Sequence, residues 1–316
     1  MKCRICDNTH GNQSYEAQEM MFGFRDVFEY FQCANCLCLQ ISHIPEDMSK
    51  YYPSDYYSFQ LVDKQNPLRQ MLVEARDRYA LGREDLLGRF LYGRNPDIVL
   101  RSFAPLALTE KTRILDVGCG AGGLLNHFKN LGFNNLLGAD PFNEQDIFYK
   151  NGLSIKKQFL SEVEGEWDAI SLVHSFEHMP NPKETMDSIH RLLSPSGACL
   201  IRIPTVSSYA WKRYGVKWAQ FDAPRHFFLH SIESMKLLAD NSQLELYDIV
   251  YDSTTVQFWG SEQYLNDIPL NDERSYKINP SKSLFSQSDI ADFAAKTKEL
   301  DKNRQGDQAV FYLRRA

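Results

Sequence analysis

Apolar positions through the middle of the chain switch repeatedly between strand-like runs and helical spacing. Residues 112–117 make a short apolar run that enters a glycine-rich turn at 118–123. Leu124, Leu125, Phe128 and Leu131 then recur at the spacing of one helix face, and Gly132 follows where a left-handed residue can end the helix. The alternation continues with strands predicted over 135–139, 155–159, 167–173 and 198–203. Between the last two, Asn181 caps a helix, Pro182 suits its first turn and Glu184 completes a capping box. Met186, Ile189 and Leu193 mark that helix's inward face. Ser231 caps another helix, and Ser286 starts a capped one inside a long excursion between strands at 244–250 and 309–313. This order predicts an open α/β sheet with helices on both faces.

The N-terminal segment follows a different pattern. Phe22, Phe24, Val27, Phe28, Tyr30 and Phe31 alternate only in part, as expected for short ribbon strands. Two C-x2-C units, Cys3/Cys6 and Cys33/Cys36, flank them. Each unit can present two sulfurs from a tight turn, and together they complete a tetrahedral four-thiolate shell that suits structural Zn2+. Cys38 follows too closely to be assigned by spacing. The expected organisation is a zinc ribbon over 1–50, a helical bridge or cap over 51–105, and a catalytic domain over 106–316. Acceptor-side insertions are expected around 206–230 and 253–305.

Composition narrows the function. A formal net charge of -6 over 316 residues does not favour a broad polyanion-binding face, and acidic residues outnumber basic ones around the cysteine pairs. Clustered thiols fit metal ligation in a reducing compartment, and no apolar run reaches membrane-spanning length. The simple expectation is a cytoplasmic monomer or homodimer without membrane insertion.

Chemistry concentrates at the ends of the predicted strands. Gly118, Gly120 and Gly123 fit the loose dinucleotide pattern G-x-G-x-x-G, so glycines alone leave a nicotinamide-dependent oxidoreductase open. Asp116 stands two residues before the first glycine, giving D-V-G-C-G-A-G-G. With G-A-D-P at 138–141, W-D-A-I-S-L-V-H-S-F-E-H-M-P-N-P at 167–182 and L-L-S-P-S-G at 192–197, the chain resembles the class I S-adenosylmethionine-dependent methyltransferases over roughly residues 105–205. The cysteine-bearing head and P-R-H-F-F at 224–228 resemble a bacterial subgroup associated with small-molecule or surface-glycan biosynthesis. The resemblance implies a Rossmann-like sheet and a cofactor site at Asp116, Gly118, Cys119, Gly120, Gly122, Asp140, Pro141, Phe142 and His174. Asp116 would organise the amino-acid end of the cofactor and Asp140 its ribose; Phe142, Phe159 and Leu160 are adenine-wall candidates. The segment 155–159 departs from the family pattern by lacking a clear acidic adenine contact.

Methyl transfer needs an acceptor aligned against the sulfonium, and a hydroxyl acceptor benefits from a base. His178, beside Glu177 at the exit of a strand, and His226 are the two base candidates. Arg225 can grip a carboxylate or phosphate, or instead neutralise an internal acid. Tyr209, Trp211, Tyr214 and Trp218 are candidate pocket walls, and Tyr56 and Tyr57 candidate acceptor contacts in a tyrosine-rich lid. A nucleotide-linked sugar or related polar metabolite is the expected acceptor. RNA, recruited through the zinc module, and a non-catalytic interaction role are the alternatives.

Overall fold

The strand–helix alternation of the central chain becomes one mixed sheet in the computed structural model, which describes residues 1–53 and 66–316. Head strands β1 (Gln13–Gln18), β2 (Val27–Gln32) and β3 (Leu39–Ile41) come first, followed by the cap helices α1 (Pro67–Ala80), α2 (Leu86–Arg94) and α3 (Ile98–Arg101). Next are β4 (Ile114–Val117), α4 (Gly123–Asn130), β5 (Leu136–Ala139), β6 (Ile147–Phe148), β7 (Ser154–Lys156) and β8 (Trp167–Val173). They lead into α5 (Pro182–Leu192), β9 (Leu193–Pro204), α6 (Tyr209–Tyr214), β10 (Phe228–Leu229) and α7 (Ile232–Asn241). The chain closes with β11 (Leu244–Tyr251), α8 (Val256–Leu265), α9 (Gln287–Lys302) and β12 (Gln308–Arg315).

The larger sheet runs β11-β12-β9-β8-β4-β5-β7-β6. Strands β7, β5, β4, β8 and β9 are parallel, whereas β12 is antiparallel to both neighbours. The order reverses at β4: its chain continues to β5 on one side, and β8 lies on the other. Ligands in open α/β sheets bind at such a switch point, beyond the carboxyl ends of the strands. Buried Leu115, Val117, Ile170, Leu172, Ile201 and Ile203 form the core beneath it.

Leu193 differs from its expected place on a helix face. Helix α5 ends at Leu192, the backbone turns extended, and Leu193 opens β9 opposite Trp167. Helix α8 was not legible in the sequence for a physical reason: Phe258, Trp259, Gln263 and Tyr264 are buried on different sides of it, so no amphipathic stripe marks it.

The head is not a detached module. Its sheet runs β1-β2-β3-β10, so a strand beyond residue 206 completes it, with Phe228 opposite Gln40 and Leu229 opposite Leu39. Tyr30 Oη donates to His226 O at 2.9 Å across the same seam. Arg225, fully buried, donates to Glu19 of the head at 3.0 Å and to Asp222 at 2.5 and 2.9 Å. On the far side, the cap is tied down by Asp77, which binds His127 of α4 at 2.6 Å. Helices α1 and α2 cross so closely at Gly88 that an added Cβ would lie 2.2 Å from Ala75 O.

Candidate active site

A cavity of about 740 Å³ opens beyond the carboxyl ends of β4, β5 and β8, within the size range of small-molecule and cofactor sites. Gly118 forms part of its wall, with a left-handed φ of +69°, and an added Cβ would lie 2.4 Å from Ser175 Cβ. Glycine is therefore required here both by conformation and by the approach of the loop after β8. Asp140 ends β5 on the same wall. Its two oxygens accept from Gly120 N at 2.8 Å and Phe142 N at 2.9 Å, while burial raises its pKa against those bonds. Pro141, Phe142, Phe159 and Leu160 continue the wall. Phe142 and Phe159 are 76% and 59% exposed, so neither ring is packed into the core.

Other residues of the glycine loop act from beneath. Asp116 is buried and accepts from Ser171 Oγ at 2.7 Å; burial, opposed by that bond, pushes its carboxyl up to about 7. Cys119 packs its sulfur toward Gly138, where an added Cβ would meet it at 2.6 Å. Gly122 is pressed against Ile155, and Gly120 is buried. Asp116, Cys119, Gly120 and Gly122 thus shape the loop, whereas Gly118 and Asp140 reach the cavity.

Four histidine and carboxylate side chains gather where β8 ends. His174 and His178 lie on the cavity wall, while Glu177 and His226 sit behind it. His174 adopts a left-handed φ of 51°. Its Nε2 accepts from Arg202 at 2.6 Å, because arginine can only donate. The proton of a neutral His174 therefore resides on Nδ1, 3.4 Å from Glu177 Oε1. Arg202 is held in turn by Asp252 at 2.7 Å. His178 Nδ1 donates to Arg225 O at 2.7 Å, and Tyr52 Oη lies 3.2 Å from the same nitrogen. Burial alone would raise the Glu177 pKa, but His174, His178 and His226 outweigh it and hold the carboxyl at about 2. Burial instead presses His226 down to about 4, against the pull of Asp222.

The remaining sequence candidates fall elsewhere. Arg225 faces the head–domain seam rather than the cavity. Tyr214 is buried, with its hydroxyl on Glu262 at 2.8 Å, and Trp218 is buried against Asp307. Trp211 packs edge-on to Tyr15 of the head. Tyr56 and Tyr57 lie outside the described residues. Tyr52, part of the tyrosine-rich stretch read as an acceptor-site lid, does line the cavity, whereas sequence reasoning missed Arg202, Asp252 and Glu19. Arg202 carried a readable signal as a lone charge in an apolar strand, but Glu19 is revealed only by folding. The head supplies Ile44 and Met48 to the cavity wall, and Tyr52 joins them from just beyond it.

Cys3, Cys6, Cys33 and Cys36 bring their sulfurs within 4.8 Å of one another, with Cys3–Cys36 and Cys6–Cys33 both at 3.5 Å. Those separations far exceed a disulfide bond of about 2.05 Å and approach the spacing of tetrahedral thiolates about 2.3 Å from a shared ion. Amide donors from Ile5, Asn35 and the Gln40 side chain point at the sulfurs, as a thiolate cluster requires. The cluster is able to chelate a metal. Cys38 points away, 4.0 Å from His230 Nδ1.

A sequence model of a methyltransferase-domain family matches residues 87–249, just over half of the chain. The chain belongs to this methyltransferase family. It is an S-adenosylmethionine-dependent methyltransferase of the class I fold. The methyltransferase is 25% identical over 181 residues to the ubiquinone biosynthesis O-methyltransferase of Psychrobacter cryohalolentis, an alignment covering 49% of this chain and 68% of the relative. With the Dechloromonas aromatica protein of that name the identity is 31% over 98 residues, covering 27% and 41%. Among solved structures, an S-adenosylmethionine-dependent methyltransferase from Mesorhizobium loti aligns over 68% of this chain and 97% of its own, at 14% identity and a TM-score of 0.43. One from Archaeoglobus fulgidus aligns over 73% and 100%, at 17% identity and 0.43.

Proposed function

We propose that the enzyme methylates a hydroxyl of a small polar acceptor, with the sugar end of a nucleotide-linked sugar or related glycan precursor as the leading class. The observation that carries this reading is the placement of His178. It stands on the wall of the cavity bearing Gly118 and Asp140, with Nδ1 committed to Arg225 O and Nε2 left to accept an acceptor's proton. S-adenosylmethionine fits the residues present: Asp140 would take the ribose, Phe142 and Phe159 the adenine, and the loop held by Asp116 the amino-acid end. The sulfonium supplies an activated methyl group, and the chain's own task is to align the acceptor and exclude other approaches.

Two features support a small acceptor. The head closes one side of the cavity with Ile44 and Met48, joined by Tyr52 from just beyond it, and no Lys or Arg lines the cavity among the described residues. A sugar ring suits such a wall, with any diphosphate left at the mouth, whereas a polyanionic strand would need cations along its track. Relatives named as O-methyltransferases favour oxygen over nitrogen or carbon. Zinc is the ion that four thiolates would select in the head, in a structural role.

The test is transfer of isotopically labelled methyl from S-adenosylmethionine into separate pools of nucleotide-sugars, other hydroxylated metabolites and RNA. One O-methylated small product is expected, with His178→Asn lowering kcat by about 10²- to 10⁴-fold. Label confined to RNA, or undiminished turnover in the variant, would contradict the reading.

A further inference from the structure

Around Glu177, acceptors outnumber donors: the protonated Nδ1 of His174, 3.4 Å from Oε1, faces one oxygen, and the neighbouring groups on the other side are acceptors. The side chain is fully buried, and neither oxygen has a hydrogen-bond partner among the described residues. The two nearby rings are fixed in the same way: His178 Nδ1 donates to Arg225 O at 2.7 Å and His226 Nδ1 to Gln220 O at 2.8 Å. A carbonyl only accepts, so each neutral ring carries its proton on Nδ1 and keeps a lone pair on Nε2. His226 Nε2 lies 3.9 Å from Glu177 Oε1, so in the neutral ring a lone pair confronts a carboxylate, a repulsion that a cation or a proton between them relieves. Asp222 stands 3.8 Å from the same nitrogen, but Arg225 engages both of its oxygens. His174 faces Oε1 as a donor through Nδ1, and it offers no lone pair to the cluster because its Nε2 is taken by Arg202.

We propose that Glu177, His178 and His226 bind one divalent first-row metal ion beside the cavity, separate from the cysteine cluster. One ligand atom from each residue lies within 4.8 Å of the other two. Two imidazoles and a carboxylate form a donor set for such ions, and imidazoles anchored by backbone carbonyls are held as metal-ligating histidines usually are. Three protein ligands leave coordination positions free, and an ion there would be placed to acidify an acceptor hydroxyl. The inference deepens the proposed function and rests on it for that role: the ion would do by polarisation what His178 would otherwise do as a base. The competing occupant is a proton on His226.

Manganese is the probe, because it favours nitrogen and oxygen ligands over the thiolates of the head. With the cysteine cluster kept zinc-loaded, titration of the full chain followed by electron paramagnetic resonance should reveal one bound Mn2+. Pulsed spectra of protein carrying ¹⁵N-histidine should show coupling to imidazole nitrogen. Glu177→Gln and His226→Asn should each weaken Mn2+ binding at least about tenfold while S-adenosylmethionine still binds. No bound Mn2+ at millimolar concentration, or affinity unchanged in both variants, overturns the site. Should the variants fail to fold, the wild-type spectra decide, since a bound ion without histidine coupling also overturns it. Parallel methyl-transfer assays separate the two claims. Bound Mn2+ without transfer to any hydroxylated pool leaves the ion site standing and contradicts the proposed function; transfer by protein that takes up no Mn2+ does the reverse.

Discussion

Asp116 and Asp140 both end or adjoin strands beside the glycine loop, yet burial acts on them to different effect. Asp140 reaches the cavity and is met by backbone amides, whereas Asp116 is enclosed and accepts from the Ser171 hydroxyl. Burial pushes the Asp116 carboxyl up to about 7, with Asp140 raising it further and Ser171 opposing. In the unfolded chain the same group titrates near about 3.9. The folded state therefore holds a proton that the unfolded state has lost, so this contribution is fully present below the unfolded pKa and disappears as pH rises through about 7. Without cofactor, Asp116→Asn should remove that slope, and wild-type Tm should fall relative to the variant between about pH 4 and pH 8. Parallel Tm–pH curves would sink the assignment. At this scale the sequence was informative where chemistry is local, as in D-V-G-C-G and the strand-end Asp140. It could not say that Arg225 turns inward, because its partner Glu19 is supplied from the far end of the chain.

The glycine loop shows how one element fixes another. Its turn leaves β4 with Gly118 at φ +69° and passes under Ser175 of the loop after β8. Gly118→Ala adds both a left-handed strain and a Cβ 2.4 Å from Ser175 Cβ, so backbone must move. The expected cost is about 1–3 kcal/mol of stability together with weaker S-adenosylmethionine binding, measurable by denaturant titration and calorimetry. Unaltered binding would mean that the loop is not the cofactor cradle. Elements with a one-sided apolar face, such as α5 with Met186 and Ile189 buried, were readable from spacing. Those buried on several sides, such as α8, or made of two residues, such as β10, carry no period to read.

At the scale of the whole molecule, the head and the sheet meet across a buried ion triad rather than a linker. Glu19, Asp222 and the fully buried Arg225 guanidinium close the seam, while β10 completes the head's sheet. Arg225→Met takes the guanidinium from Asp222 and leaves buried Glu19 to the amides of Met21, Phe22 and Phe24, and a loss of about 3 kcal/mol in denaturant unfolding is expected. A change below about 1 kcal/mol would show the triad to be dispensable. The cysteine spacing marks the head's beginning, whereas β10, which pairs with its last strand, lies beyond residue 206 and carries no period to read. Because head and sheet together enclose the cavity, the central claim is that this cavity binds S-adenosylmethionine through Asp140. The most direct measurement is calorimetric titration of wild type and Asp140→Asn with S-adenosylmethionine and, separately, with a nicotinamide dinucleotide. One S-adenosylmethionine should bind per chain, weakened about 10- to 100-fold by the substitution, with no comparable nicotinamide binding. Binding unaffected by Asp140→Asn, or a preference for the nicotinamide cofactor, would contradict this claim.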